Sequence, residues 1–254
     1  MSTFPDQFRL DGRTALITGS RRGLGWEMAK GLAEAGARVL LHGRSAERLA
    51  DRLAELRQAG CAADGVAFGM ADRSAMRQAL AGHDHIDILI HNVGERDRRP
   101  FAEIEPEDFA RLVDVDLSAA HALVKLVAPG MIARGWGRVI LVTSIAGQLA
   151  VPGASSYIAA KGGLTAFARA LAAELGPTGI TANALSPGFF ATETNLQMMA
   201  SPMGERQRER CPAKRWAAPH EIAGAALFLA SPAASFVNGH TLVVDGGVSA
   251  TYLS

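Results

Sequence analysis

Cysteine is nearly absent: Cys61 and Cys211 are the only two in 254 residues, and their spacing suggests neither a metal site nor a disulfide framework. An excess of either charge is missing too. Lys and Arg number 26 against 25 Asp and Glu, a formal net charge of +1, so the balance points to neither nucleic acid nor an anionic membrane as a partner. The N-terminus, MSTFPDQFRLDG, has no basic segment leading into an apolar one, and no apolar run is read as reaching bilayer-spanning length. These absences predict a soluble, cytoplasmic chain whose partner is a small-molecule substrate. No Pro/Ser-rich linker, charge block, internal repeat or low-complexity run interrupts residues 1–254, which predicts a single domain. What the chain has in quantity is apolar side chain, 48% of residues, enough for a sizeable core.

Short apolar runs alternate with longer Ala/Leu-rich segments, the pattern of βαβ units and a parallel sheet. Candidate strands are TALIT, RVLLHG, a stretch around residues 66–69, DILIHN, RVILVTS, ITANALS and HTLVVDG. Seven strands fit one doubly wound α/β sheet of the Rossmann type, and near-continuous apolar strands indicate helices on both faces.

The first strand leads directly into TGSRRGLG, residues 18–25, and then into the helical pattern WEMAKGLAEAG. Gly19, Gly23 and Gly25 permit a tight turn and let backbone approach a pyrophosphate at a helix N-terminus. Ser20, Arg21, Arg22 and Leu24 complete this candidate cofactor loop. The second strand ends LLHGRS, with Gly43 and Arg44 where a carboxylate would favour NAD(H). Arg44, with Arg21 and Arg22, favours NADP(H) over NAD(H), because guanidinium suits phosphate geometry.

In SIAGQLAVPGASSYIAAK, residues 144–161, Tyr157 and Lys161 are four apart and share one helix face. An ammonium beside a phenol favours the phenolate, and a tyrosine so tuned can exchange protons with an alcohol or carbonyl. Ser144 ends the strand-like run GRVILVTS and is placed to hydrogen-bond the same substrate oxygen.

TGSRRGLG, HNVG at residues 91–94, Ser144 followed by Tyr157 and Lys161, and PGFFAT at residues 187–192 together resemble the ordered motifs of the short-chain dehydrogenase/reductase family over nearly the whole chain. The resemblance implies Tyr157 as general acid/base, Lys161 lowering its pKa and holding the nicotinamide ribose, and Ser144 positioning the substrate oxygen. It implies further cofactor contacts from Asn92, Gly94, Pro187, Gly188 and Thr192, and a homotetramer or homodimer built on the Ala-rich helices. Three positions depart from the family pattern. Asp116 stands where the family has an Asn that supports proton exchange with the lysine; an active relay with an altered pH profile, an inactivating change and a helix-surface residue all remain open. Gly69 replaces an adenine-contacting Asp, which leaves backbone at Met70 for that contact. His91 replaces an Asn and reads as a packed strand-end residue.

Within the family, RRPFAEI, PGFFATE, KRW and SFVNGHTLVVDGG are most similar to the branch that interconverts gluconate and 5-keto-gluconate, and are shared in part with 3-oxoacyl-carrier-protein reductases. Arg98 or Arg99, in ERDRR after the fourth strand, can pair with a sugar-acid carboxylate. Residues 191–218 read as a substrate lid, whose Met-rich apolar character also suits an acyl ketone. The sequence fits an NADP(H)-dependent alcohol/ketone oxidoreductase acting on a sugar acid or polyol, with a 3-oxoacyl-thioester reductase and a non-catalytic NADP(H)-binding sensor as the alternatives.

Overall fold

The computed structural model describes residues 3–83 and 85–251. The first half of the chain runs β1 (Thr14–Ile17), α1 (Gly23–Glu34), β2 (Arg38–Gly43), α2 (Ala50–Gln58), β3 (Ala63–Ala67), α3 (Arg73–Leu80) and β4 (Ile88–His91). Helices α4 (Pro106–Val113) and α5 (Ala119–Arg134) follow, joined by a π-helical turn over Asp114–Ser118. The second half continues with β5 (Gly137–Val142), α6 (Ser155–Leu175), β6 (Ile180–Pro187), α7 (Leu196–Met199), α8 (Pro202–Arg210), α9 (Ile222–Ala230) and β7 (Thr241–Val244).

All seven strands pair in parallel in the order β3-β2-β1-β4-β5-β6-β7. This is the doubly wound Rossmann-type sheet the alternating pattern predicts. Side chains alternate between two core layers. Leu16, Leu40, Leu89 and Val139 face α3, α5 and α6, while Ile17, Leu41, Ile90 and Ile140 face α1 and α9. Burial on both faces explains why the central strands read as unbroken apolar runs.

Two expectations need correction. The third strand lies at Ala63–Ala67, not 66–69. As an edge strand it pairs only with β2, and its Asp64 turns outward to the Arg38 and Arg57 guanidiniums, so its sequence ADGVA has no apolar run. In addition, the helical stretch Pro106–Arg134 is long and apolar enough to cross a membrane by length and composition. Half of that window is buried inside the protein, where Leu123, Val124, Val127 and Met131 join the core, so its hydrophobicity is that of a core helix.

Strand order reverses between β1 and β4. In open α/β sheets the crevice at such a reversal, beyond the strand C-termini, is where ligands bind. Here the ends of β1, β2, β4, β5 and β6 and the start of α6 surround one cavity of about 830 Å³.

Candidate active site

The glycine loop forms the floor of the cavity. Gly19 and Gly23 have φ values of +64° and +57°, the left-handed region that L side chains rarely adopt. Gly25 is needed for space: a Cβ there would lie 2.4 Å from the Gly19 carbonyl oxygen and 2.6 Å from Asn92 Nδ2. Asn92 bridges the two sides of the strand-order reversal, its Nδ2 donating to Thr18 O at 3.1 Å and its backbone N–H to Thr18 Oγ1 at 2.8 Å. Gly19, Arg21, Arg22, Gly23 and Leu24 line the cavity, as do Asn92, Gly94, Pro187, Gly188 and Thr192.

Ser20 does not line it. The serine is fully buried, and its Oγ accepts the His42 backbone N–H at 2.9 Å, so it ties the loop to β2. His42 is the stronger tie, and sequence reasoning missed it. Its Nδ1 accepts the Gly19 N–H at 3.0 Å, which leaves the proton on Nε2 to meet Phe68 O at 3.1 Å. Burial pushes this imidazole down to about 4, against the pull of the Phe68 carbonyl. The sequence signal was its place at the end of β2, two residues before Arg44.

Past β2, Arg44 lines the cavity and is joined by Arg48, another residue not singled out from sequence. Among the described residues, Arg21, Arg22, Arg44 and Arg48 have no carboxylate in ion-pair range. Gly69 and Met70 form the wall next to them. Asp72, downstream of Gly69, is a helix cap instead, accepting the Ser74 and Ala75 N–H groups at 3.1 and 2.9 Å.

At the opposite end, α6 buries Tyr157, Ala160, Lys161, Leu164, Ala168 and Leu171, a stripe at helical spacing whose first turns open into the cavity. Tyr157 and Lys161 therefore occupy the sheet-facing side, not a solvated one. Lys161 is only 2% exposed, an unusual position for an ammonium. Its Nζ donates to Val142 O at 3.2 Å and Val93 O at 3.5 Å, and lies 3.5 Å from Asp116 Oδ2. Gly94 makes room for it, since a Cβ there would lie 2.7 Å from Nζ.

Asp116 is fully buried on the π turn, behind Lys161, and is not on the helix surface. Its Oδ1 accepts the Glu95 N–H at 2.8 Å, and its backbone carbonyl meets His91 Nε2 at 2.9 Å. Burial raises the Asp116 pKa above the usual carboxylate range, and the Lys161 ammonium opposes that shift without cancelling it. His91 is a packed strand-end residue, as its position predicts, and burial followed by the Lys161 charge drives it down to about 3.

Tyr157 is 8% exposed. Burial alone would raise its pKa; the charges of Lys161 and Arg96 and hydrogen bonding with Ser144 and Arg96 outweigh that and hold the phenol below its ordinary value. The Lys161 ammonium stands 5.6 Å from the ring centroid and the Arg96 guanidinium 5.3 Å. Ser144 follows β5 and caps the next turn, its Oγ accepting the Ala146 N–H at 3.1 Å, which leaves its own O–H proton for the Tyr157 oxygen or a substrate oxygen.

The loop after β4 differs from expectation. Arg99 does not face the cavity; Asp97 and Asp108 hold its guanidinium at the surface. Arg98 lines the cavity, as does Arg96, which was not singled out from sequence.

The arrangement can bind an extended anionic dinucleotide and exchange a proton with a substrate oxygen near Tyr157. Comparison with known proteins agrees. Residues 19–249 match the family model described as enoyl-(acyl carrier protein) reductase. A gluconate 5-dehydrogenase from Gluconobacter oxydans is 38% identical over 250 residues, covering 96% of this chain and 98% of that one. The 5-keto-D-gluconate 5-reductase of Escherichia coli is 33% identical, with 96% and 98% covered. The crystal structure of a gluconate 5-dehydrogenase from Burkholderia cenocepacia in complex with NADP and tartrate superposes with a TM-score of 0.93 at 41% identity, covering 97% and 98% of the two chains.

Proposed function

The chain belongs to the short-chain dehydrogenase/reductase family and is an oxidoreductase acting on CH–OH groups, and from that premise we propose that it interconverts a sugar acid and its keto form, such as gluconate and 5-keto-gluconate, with NADP(H) preferred over NAD(H). Uncompensated positive charge at both ends of the cavity supports this most directly. Arg44 and Arg48, beyond β2, suit a 2′-phosphate, and Arg96, beside Tyr157, and Arg98, on the same cavity wall, suit a substrate carboxylate. Relatives and solved structures point the same way, the Burkholderia protein being described with NADP and tartrate.

The cradle fits a dinucleotide: Gly19 and Gly23 turn the loop at positive φ, Gly25 sits where a Cβ would collide, and the N-terminus of α1 opens toward it. Arg21, Arg22, Gly23, Leu24, Arg44, Met70, Asn92 and Thr192 would hold the cofactor. When bound, it supplies the hydride donor or acceptor. Tyr157 carries the proton that the substrate oxygen gains in reduction and loses in oxidation, and Ser144 donates a hydrogen bond to the same oxygen. Lys161 holds Tyr157 toward phenolate and, with Tyr157, would hold the cofactor ribose. Asp116 fixes Lys161 from behind. Residues 191–218 act as the lid.

Replacing Tyr157 with Phe removes the proton carrier and should lower kcat about 10²–10⁴-fold on 5-keto-gluconate with NADPH, with NADPH affinity retained. Single-turnover kinetics alongside fluorescence titration of NADPH separate the two. Cofactor binding without turnover of keto-sugars, keto-acids or β-ketoacyl thioesters by the wild type would instead mark a sensor.

A further inference from the structure

The two ends of the cofactor loop are anchored differently. Thr18, Gly19 and Ser20 are tied to the sheet, their N–H groups donating to Ile90 O at 2.9 Å, His42 Nδ1 at 3.0 Å and His42 O at 3.1 Å. From Gly23 onward the chain is α1. Arg21 and Arg22 span the gap, and the helix starts there without a side-chain cap, because Arg22 at the N-cap has no side-chain oxygen to accept an N–H. Among the described residues the Arg21 and Arg22 N–H groups have no protein acceptor. What holds this span comes from another helix. Arg52 on α2 donates from Nε to the Arg21 carbonyl at 3.3 Å, and its guanidinium carbon lies 4.5 Å from the ring centroid of Trp26, in the first turn of α1.

Arg52 differs from the arginines near it. Arg21, Arg22, Arg44 and Arg48 line the cavity with no carboxylate in ion-pair range, whereas Arg52 lies outside the lining and its Nη1 donates to Glu55 Oε2 at 2.7 Å. A cation already matched and set behind the loop is not a phosphate ligand; it acts on the backbone. In a planar trans peptide the C=O and N–H point opposite ways, so a carbonyl drawn toward α2 turns the Arg22 N–H away from α2. Rotated the other way, the same peptide would present its oxygen to an anion at the start of α1 and repel it.

We propose that Arg52 is a positioning residue for the cofactor: from α2, with Trp26 as its platform, it fixes the Arg21–Arg22 peptide in the orientation a pyrophosphate requires before the cofactor arrives. This rests on the dinucleotide reading above. NADPH and NADH share the pyrophosphate, so the clamp serves both alike, and discrimination between them stays with Arg44 and Arg48.

The test compares wild type with Arg52→Met, which keeps the apolar stem and removes the fork, and Arg52→Lys, which keeps the charge without a flat face for Trp26. Fluorescence titration with NADPH and with NADH should give Kd values raised about tenfold for both in Arg52→Met, their ratio staying within about twofold of wild type, and raised less in Arg52→Lys. Amide hydrogen exchange without cofactor is the second measurement. Peptides covering residues 19–25 should exchange about fivefold or more faster in Arg52→Met, with β4 and β5 unchanged, and saturating NADPH should restore their protection. A merely structural role would speed exchange across the sheet and not in the loop alone. Unaltered Kd values, a loss confined to NADPH, which marks a 2′-phosphate contact, or faster exchange spread over the sheet overturns the assignment to Arg52 and leaves the proposed function standing. A wild type that binds neither dinucleotide overturns both.

Discussion

His42 links the cofactor loop to the edge of the sheet through a tautomer that exists only while the ring is neutral. Protonating Nδ1 would break the bond from Gly19 N–H and place a charge in a buried site. The folded-state value of about 4 lies below the unfolded one near 6.5, so stability is full above pH 6.5 and falls as pH drops toward 4. The loss from His42 alone should be about 2 kcal/mol between pH 7 and pH 5. Urea unfolding at both pH values checks this, and His42→Phe should flatten the dependence; an equal slope in the variant would reject it. His91, lowered to about 3, adds to the same trend. The sequence shows the residues whose placement follows from backbone spacing, namely the three glycines, Ser144, Tyr157 and Lys161. It does not show those whose roles depend on a contact across the sheet. Ser20 reads as part of the cofactor loop and is buried against His42, and of Arg98 and Arg99, the two candidates for a substrate carboxylate, Arg99 is claimed by two aspartates while Arg98 lines the cavity.

At the scale of elements, most of the sheet was legible because buried parallel strands carry unbroken apolar runs. Strand β3 was displaced because an edge strand has fewer neighbours to demand them. The π turn between α4 and α5 has no sequence signature, yet it turns Asp116 inward to face Lys161. Such single-turn widenings recur at functional sites. Helices α7 and α8 pack as a unit, with Gly204 pressed onto the Met198 and Met199 carbonyls. The unit is attached to the sheet by the Phe190–Ala217 bridge and by Trp216, which donates to Gly204 O at 3.2 Å. Leu196 and Met203 nevertheless stay exposed, 57% and 48%, which is what the lid role proposed above expects. Trypsin should therefore cut first near Arg206 and Arg208, and NADPH with gluconate should slow that cut about fivefold or more, by analogy with closing lids. Mass spectrometry of the early fragments reads this directly; unchanged cutting would remove the lid role.

For the whole molecule, exposed apolar side chains, Leu126 and Ile132 on the Ala-rich α5 and Phe109 on the neighbouring α4, favour association with a second copy. Sedimentation at micromolar concentration should show a dimer or tetramer, and Leu126→Glu should shift it toward monomer; a monomeric wild type would contradict the expectation.

The strand order has a consequence for how the protein comes to exist. Thr18 and Asn92, which join the two halves of the cleft, are 74 positions apart, and Tyr157 lies further along still. Contacts of such sequence separation form late and slowly, since long loops must close before they are rewarded. During synthesis the glycine loop emerges long before the residues that complete its floor, so no partial chain has a working site. Turnover thus doubles as a report that the last strands have docked, and slow-folding variants should lose yield of active enzyme before they lose activity per folded molecule.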